Sequence, residues 1–157
     1  MTVGRHCNNP YTCDFYGHCH TDVVEEELDY GDAKIDTAAL KSFVNMLTYP
    51  LYFLDFETYM TAVPLFDGHW SYRQVVFQYS LHMQEKAGAV KKHTQYLAEY
   101  VGTAMEVLLK KLINDIGSQG SVIVYNQAFE NTRLKELNND HPAYGKQIEA
   151  IQARIID

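Results

Sequence analysis

No apolar run in this sequence approaches the roughly 20 residues that a membrane-spanning helix requires, so no membrane partner is expected. The opening residues, Met1-Thr2-Val3-Gly4-Arg5-His6, lack the apolar core of a signal peptide, and a cytoplasmic location is the expectation. Positive charge is also short: 13 Lys and Arg stand against 20 Asp and Glu, giving a net charge of -7. The chain therefore lacks the basic surplus typical of nucleic-acid binders. Carboxylates that hold metal ions enter that sum as negative charge, however, so the total alone does not exclude such a function. Cysteine is scarce, with three residues and none after Cys19, which leaves the body of the chain without a disulfide framework. What the chain has is apolar and aromatic content, 46% and 13% of its residues. That is enough to build a packed core and argues against wholesale disorder.

The cysteines stand together in Cys7-Asn-Asn-Pro-Tyr-Thr-Cys13-Asp-Phe-Tyr-Gly-His18-Cys19-His20. Clustered thiols in a cytosolic chain point to metal or redox chemistry. Three thiolates are one short of the four ligands of a structural zinc or a four-iron cluster. His6, His18 or His20 could complete a zinc site, or the fourth ligand could lie upstream; the alternative is an arm with free reduced thiols. The stretch resembles the cysteine tail of RecB-family nuclease domains, in which three late cysteines join one early cysteine around a four-iron cluster. That resemblance implies an iron–sulfur site at Cys7, Cys13 and Cys19 whose fourth ligand is missing here. It also implies an upstream RecB-like nuclease domain as a partner in a full-length protein.

Residues 1–36 read as this cysteine-bearing segment followed by an acidic linker, with Glu25, Glu26, Glu27, Asp29 and Asp32 and little apolar periodicity. Residues 37–157 read as one α/β domain. A short helix from Thr37 carries Leu40, Phe43, Val44 and Leu47 on one face, with Asp36 or Thr37 as its cap, and Pro50 ends it. Leu51–Thr58, Gln74–His82 and Lys92–Leu97 are rich in β-branched and aromatic residues and are separated by turn signals, which predicts a three-stranded antiparallel meander. Val101–Ile116 has a helical apolar stripe closed by Gly117. Ser121–Asn126 reads as a buried strand, Phe129–Leu137 as a helix, and helix is expected again from Tyr144 to Ile156. The whole is an α/β arrangement on a mixed sheet.

Asp55 and Glu57 alternate along the first strand and project from the same face. Two carboxylates on an apolar strand are costly unless compensated, and a hard divalent cation such as Mg²⁺ or Mn²⁺ would compensate them. The alternative is a pair of exposed carboxylates at a strand end. His69, His82, His93 and His141 are scattered and read as surface or core residues. Tyr72, Phe77 and Tyr79 could stack on bases, although alternation favours a core role for Phe77 and Tyr79. Lys91, Lys92, Lys110, Lys111, Arg133 and Lys135 are candidates for a local basic rim.

Phe53-Leu-Asp55-Phe-Glu57-Thr58 resembles the first motif of the DEDD exonucleases, an Asp-x-Glu on the first strand of a ribonuclease-H-like sheet. Val124-Tyr-Asn126-Gln-Ala-Phe129-Glu130-Asn-Thr-Arg133-Leu134 resembles the second, with Glu130 where the superfamily usually has Asp. The likeness runs from about Leu51 to Leu137, and the pairing of a cysteine tail with such a domain resembles an uncharacterised bacterial family. The resemblance implies a ribonuclease-H-like mixed sheet and two-metal phosphodiester hydrolysis, with ions roughly 3.5–4 Å apart. The implied activity is a 3′-to-5′ exonuclease acting on single-stranded ends of DNA or RNA within a larger nuclease protein. By the same resemblance Asp55 would bridge both ions, Glu57 would bind one and orient water, and Glu130 would complete the other. Asn126 would cap the helix or orient Glu130. A third motif is not recognisable, so the expectation is a fold truncated at its C-terminus, with Asp157 as a remnant ligand and no assignable general base. Two alternatives stand beside this reading. One is a degenerate nuclease fold that only binds or scaffolds; the other is a zinc-binding interaction domain centred on the cysteines.

Overall fold

A computed structural model describes residues 35–98 and 104–157. The cysteine segment, with Cys7, Cys13 and Cys19, and most of the acidic linker lie outside the described residues. The elements are α1 (Thr37–Met46), β1 (Leu51–Tyr59), β2 (Val75–Gln84), β3 (Lys92–Leu97), α2 (Ala104–Ile116), β4 (Ser121–Ile123), α3 (Gln127–Asp140), a 3₁₀ turn (Pro142–Tyr144), α4 (Gly145–Gln152) and β5 (Ile155–Ile156). Ala39–Asp157 forms a compact unit.

Strand alternation sorts β1 into two faces. Tyr52, Leu54 and Phe56 are buried, while Asp55 and Glu57 between them are exposed. The antiparallel register carries this sorting into β2, where Leu54 pairs with Leu81 and Phe56 with Tyr79, both fully buried. The buried face is covered by helices. In α2, Leu108, Leu109, Leu112 and Ile116 recur at helical spacing and are all inaccessible; Leu134 of α3 with Ile148 and Ile151 of α4 close the same core. Each such side chain contributes roughly 1.5–3 kcal/mol of burial. The helices thus hold one sheet face and leave the other, with Asp55 and Glu57, open.

The strands lie in the order β3-β2-β1-β4-β5. β1, β2 and β3 form the expected antiparallel meander, whereas β4 and β5 run parallel to β1 on its other side. Gly120 makes the β1–β4 pairing possible. Its φ is +90°, and a Cβ there would stand 2.0 Å from the Pro50 carbonyl oxygen, so only glycine fits the approach. The chain leaves β1 toward one edge and returns through α2 to the other, which makes β1/β4 the topological switch point of the sheet. Ligands of open α/β sheets bind outside the carboxyl ends of strands at such a point.

Several expected elements differ from the observed ones. The final helix is shorter than expected: α4 ends at Gln152, and Ile155–Ile156 form a fifth strand. Ile148, Ile151 and Ile155 keep helical spacing, so the pattern ran on past the true helix end. β4 stops at Ile123, and Tyr125 is 96% exposed instead of continuing a buried strand. α3 is longer at both ends than Phe129–Leu137. α1 is present, capped by Asp36, which accepts from the Ala38 amide at 3.0 Å. Its apolar residues Leu40 and Val44 remain exposed. Among the described residues, no helix is long and apolar enough to cross a membrane.

Candidate functional site

The carboxyl ends of β1, β4 and β5 gather the residues singled out from the sequence. Asp55 and Glu57 face the open side of β1, opposite Ser80 and Gln78 of β2, and the register shifts between Glu57 and Thr58. Such bulges re-aim side chains at strand ends. β4 pairs with β1 only as far as Phe53, so the β1 backbone beyond it has no strand neighbour on that side. Glu130 takes the vacated position, and the Phe56 backbone N–H is directed at its carboxylate.

Glu130 arrives there because of how α3 begins. The Asn126 side chain accepts from the Phe129 amide at 3.0 Å and closes the N-terminus; Glu130 then lies in the first turn, its own amide donating to the Asn126 carbonyl oxygen at 3.0 Å. The Glu130 side chain is only 3% exposed, and its Oε2 is buried without a hydrogen-bond partner. Burial pushes its pKa up to about 7, and the charge of Asp55, with a smaller push from Glu57, adds to this. The Phe56 amide and Arg133 oppose the rise. Three carboxylates from two elements therefore lie within one another's field, and the innermost has an acceptor atom with nothing to accept.

Asp157 is placed differently from a fourth member of that group. Its Oδ2 accepts from the Gln127 amide at 3.0 Å, so its carboxylate serves the N-terminus of α3. As the side chains stand, no group of three or more His, Cys, Asp or Glu among the described residues is close enough to hold a metal ion. Asp55 and Glu57 are exposed, whereas Glu130 is buried. The donor set is all oxygen, which suits Mg²⁺ or Mn²⁺ and not a soft metal.

Four of the six residues expected to form a basic rim, Lys92, Lys110, Lys111 and Arg133, engage local acidic partners. Lys110 meets Glu106 at 2.9 Å, Lys111 meets Asp115 at 2.6 Å, and Lys92 meets Glu85 at 3.8 Å. Arg133 is 6% exposed; its Nε lies 3.2 Å from Glu136, and its Nη1 donates to Gln74. Among the histidines, His82 and His93 stack across β2 and β3 with centroids 4.3 Å apart, and the His141 amide donates to Leu137 to end α3. Tyr79 is fully buried, its hydroxyl donating to Asp115 at 2.7 Å, whereas Tyr72 is exposed with φ +61°.

Sequence reasoning missed a polar cluster beneath the β1–β2 loop. Arg73 is 8% exposed and donates to both Asp140 oxygens, at 3.2 and 2.5 Å, while His69 lies 3.7 Å from the same carboxylate. Nothing in the spacing marks this cluster, because Arg73 and Asp140 are 67 positions apart.

A family model described as Domain of unknown function (DUF2779) matches residues 52–157, and the chain belongs to that family. No curated protein and no solved structure matches the chain.

Proposed function

We propose that this member of the family is a metal-dependent phosphodiesterase module with a ribonuclease-H-like sheet, acting as a 3′-to-5′ exonuclease on single-stranded ends of DNA or RNA. The observation that carries the proposal is Glu130: a buried carboxylate with an unpartnered oxygen, within the electrostatic reach of Asp55 and Glu57 at the switch point of a mixed sheet. A metal ion is the simplest partner for that oxygen, because it also relieves the repulsion from Asp55 and Glu57. The meander followed by a parallel crossover strand, with Asp-x-Glu on β1 and Asn126 and Glu130 after β4, agrees with the DEDD resemblance.

Asp55, Glu57 and Glu130 would hold Mg²⁺ or Mn²⁺ ions, which when bound would lower the pKa of a water and stabilise the departing oxygen of a phosphodiester. The protein's own contribution is positional. β1 fixes Asp55 and Glu57 two residues apart on one face, and the Asn126 cap fixes the turn that carries Glu130. Arg133 balances part of the negative charge and leans away to Gln74 and Glu136. The cysteine segment is proposed as a separate iron–sulfur or zinc site beside an upstream RecB-like nuclease domain.

Mn²⁺ calorimetry on wild type and Asp55→Asn tests the metal reading. The expected result is saturable binding that Asp55→Asn weakens at least tenfold, together with cleavage of a single-stranded oligonucleotide that the variant abolishes. Equal binding in both proteins would sink it. The competing reading, a binding module without catalysis, is favoured by the engagement of Asp157 with Gln127. It predicts oligonucleotide binding without Mn²⁺-dependent cleavage.

A further inference from the structure

The polar cluster under the β1–β2 loop borders a cavity of about 280 Å³, whose walls include Phe66, His69, Arg73, Gln74, Arg133 and Glu136. From this cavity we infer a nucleobase subsite: a pocket that takes one uncharged ring system of the substrate. The choice of ligand class rests on the phosphodiesterase reading, but the features that select a base are the cavity's own.

Charge is the first of these. Two guanidinium groups line the cavity, yet each is already matched, Arg73 by Asp140 and Arg133 by Glu136. A pocket without surplus positive charge gives little reason for a phosphate to leave water. A neutral group with polar edges meets no such barrier. The second feature is hydrogen-bonding character. The Gln74 carbonyl is taken by Arg133, which leaves its amide as a donor, and Asp140 and Glu136 supply acceptors. Donors and acceptors side by side match the edge of a base. Arg73, itself more than nine-tenths buried, keeps its Nε without any acceptor in the protein.

The third feature is shape. Phe66 and His69 meet edge to face at 5.0 Å on one wall, and the volume falls at the low end for small-molecule clefts. A single base fits such a space; a duplex does not. Position is the fourth. Arg133 lines the cavity and lies one helical turn beyond Glu130, so one wall of the cavity belongs to the helix that carries the buried carboxylate.

The chain's single tryptophan, Trp70, sits over the Arg73 guanidinium at 5.0 Å and serves as a local reporter. Adenosine and uridine, which carry no phosphate, are titrated into the whole chain in EDTA while Trp70 emission is followed. The expected result is saturable quenching by at least one nucleoside, unaffected by excess inorganic phosphate and unchanged in Asp55→Asn. Gln74→Ala should weaken it roughly fivefold, as loss of one hydrogen bond implies. Should Gln74→Ala melt early, Glu136→Gln gives a second reading of the same wall, with weakening again expected. Absence of quenching by both nucleosides, equal competition by phosphate, or unchanged affinity in a folded wall variant would each overturn the subsite. Because the titration contains no metal, nucleoside binding that persists while Asp55→Asn leaves Mn²⁺ affinity intact would uphold the cavity and reject the hydrolase reading alone.

Discussion

Glu130→Gln offers the sharpest test of the carboxylate site, because its effect should change with pH in a known direction. Glu130 has a folded pKa of about 7, against an ordinary value of 4.5. The folded state therefore holds a proton that the unfolded chain has released between these values. A group with a raised folded pKa favours folding fully below its unfolded value, and that advantage is lost as pH rises through the folded one. The interval from 4.5 to about 7 sets an upper bound of roughly 3 kcal/mol, which partial solvent screening reduces. Glutamine imitates the protonated form and does not titrate. Urea denaturation in EDTA should thus show Glu130→Gln close to wild type at pH 4.5, and more stable by up to about 3 kcal/mol at pH 8. Mn²⁺ at pH 8 should reverse the order by stabilising wild type and leaving the variant largely unchanged. A stability difference that is the same at pH 4.5 and pH 8 would refute the reasoning, since Glu130 would then not be the group strained by its neighbours.

Other perturbations act on separate parts of the structure. Leu112→Ala should cost about 2–5 kcal/mol in urea denaturation, because Leu112 is fully buried between sheet and helices; a loss under 1 kcal/mol would show that α2 does not form the core. Asn126→Ala should cost about 0.5–2 kcal/mol, with Asn126→Asp restoring most of it, as expected of a helix cap; no loss on thermal melting would remove the cap from the account of how Glu130 is placed. The pKa of His69 is lowered, first by burial and then by the Arg73 charge, against the pull of Asp140. Its folded pKa lies below its unfolded value, so it costs stability as pH falls below about 6.5; His69→Gln should flatten that acid limb, and an NMR titration giving His69 an ordinary or higher pKa would contradict this. Metal analysis of the whole chain, purified without oxygen, should find iron or zinc that a triple Cys7→Ser, Cys13→Ser, Cys19→Ser variant lacks; equal metal in both would dismiss the cysteine site.

How much of this was legible in the sequence depended on the range of the interaction involved. Period-two alternation in β1 and the helical stripe of α2 are written within single segments, so Tyr52, Leu54, Phe56, Leu108 and Leu112 could be assigned to the core without a partner in view. Asp55 and Glu57 stood out by the same logic, as polar interruptions on one face of an apolar strand. The end of the chain misled because the Ile148, Ile151 and Ile155 spacing suits a helix, while what makes Ile155–Ile156 a strand is the open edge of β4, far away in sequence. The depth of Glu130 was hidden for a similar reason. Its segment shows a capped, polar helix start, a pattern that normally points to solvent. It is buried because β4 stops pairing at Ile123 and leaves room beside Phe56, a fact about strand lengths and not about composition. The Arg73–Asp140 and Arg133–Gln74 contacts are longer-range still; Arg133 was expected on a basic rim, and its burial follows from contacts between the β1–β2 loop and α3. The two carboxylates that face solvent were therefore visible in advance and Glu130 was named through the resemblance, while its burial and the cavity lined by Arg133 were not foreseen. The features that would make the site selective arise where the fold brings distant segments together, and the groups already matched there are the ones that turn phosphate away and leave room for a base.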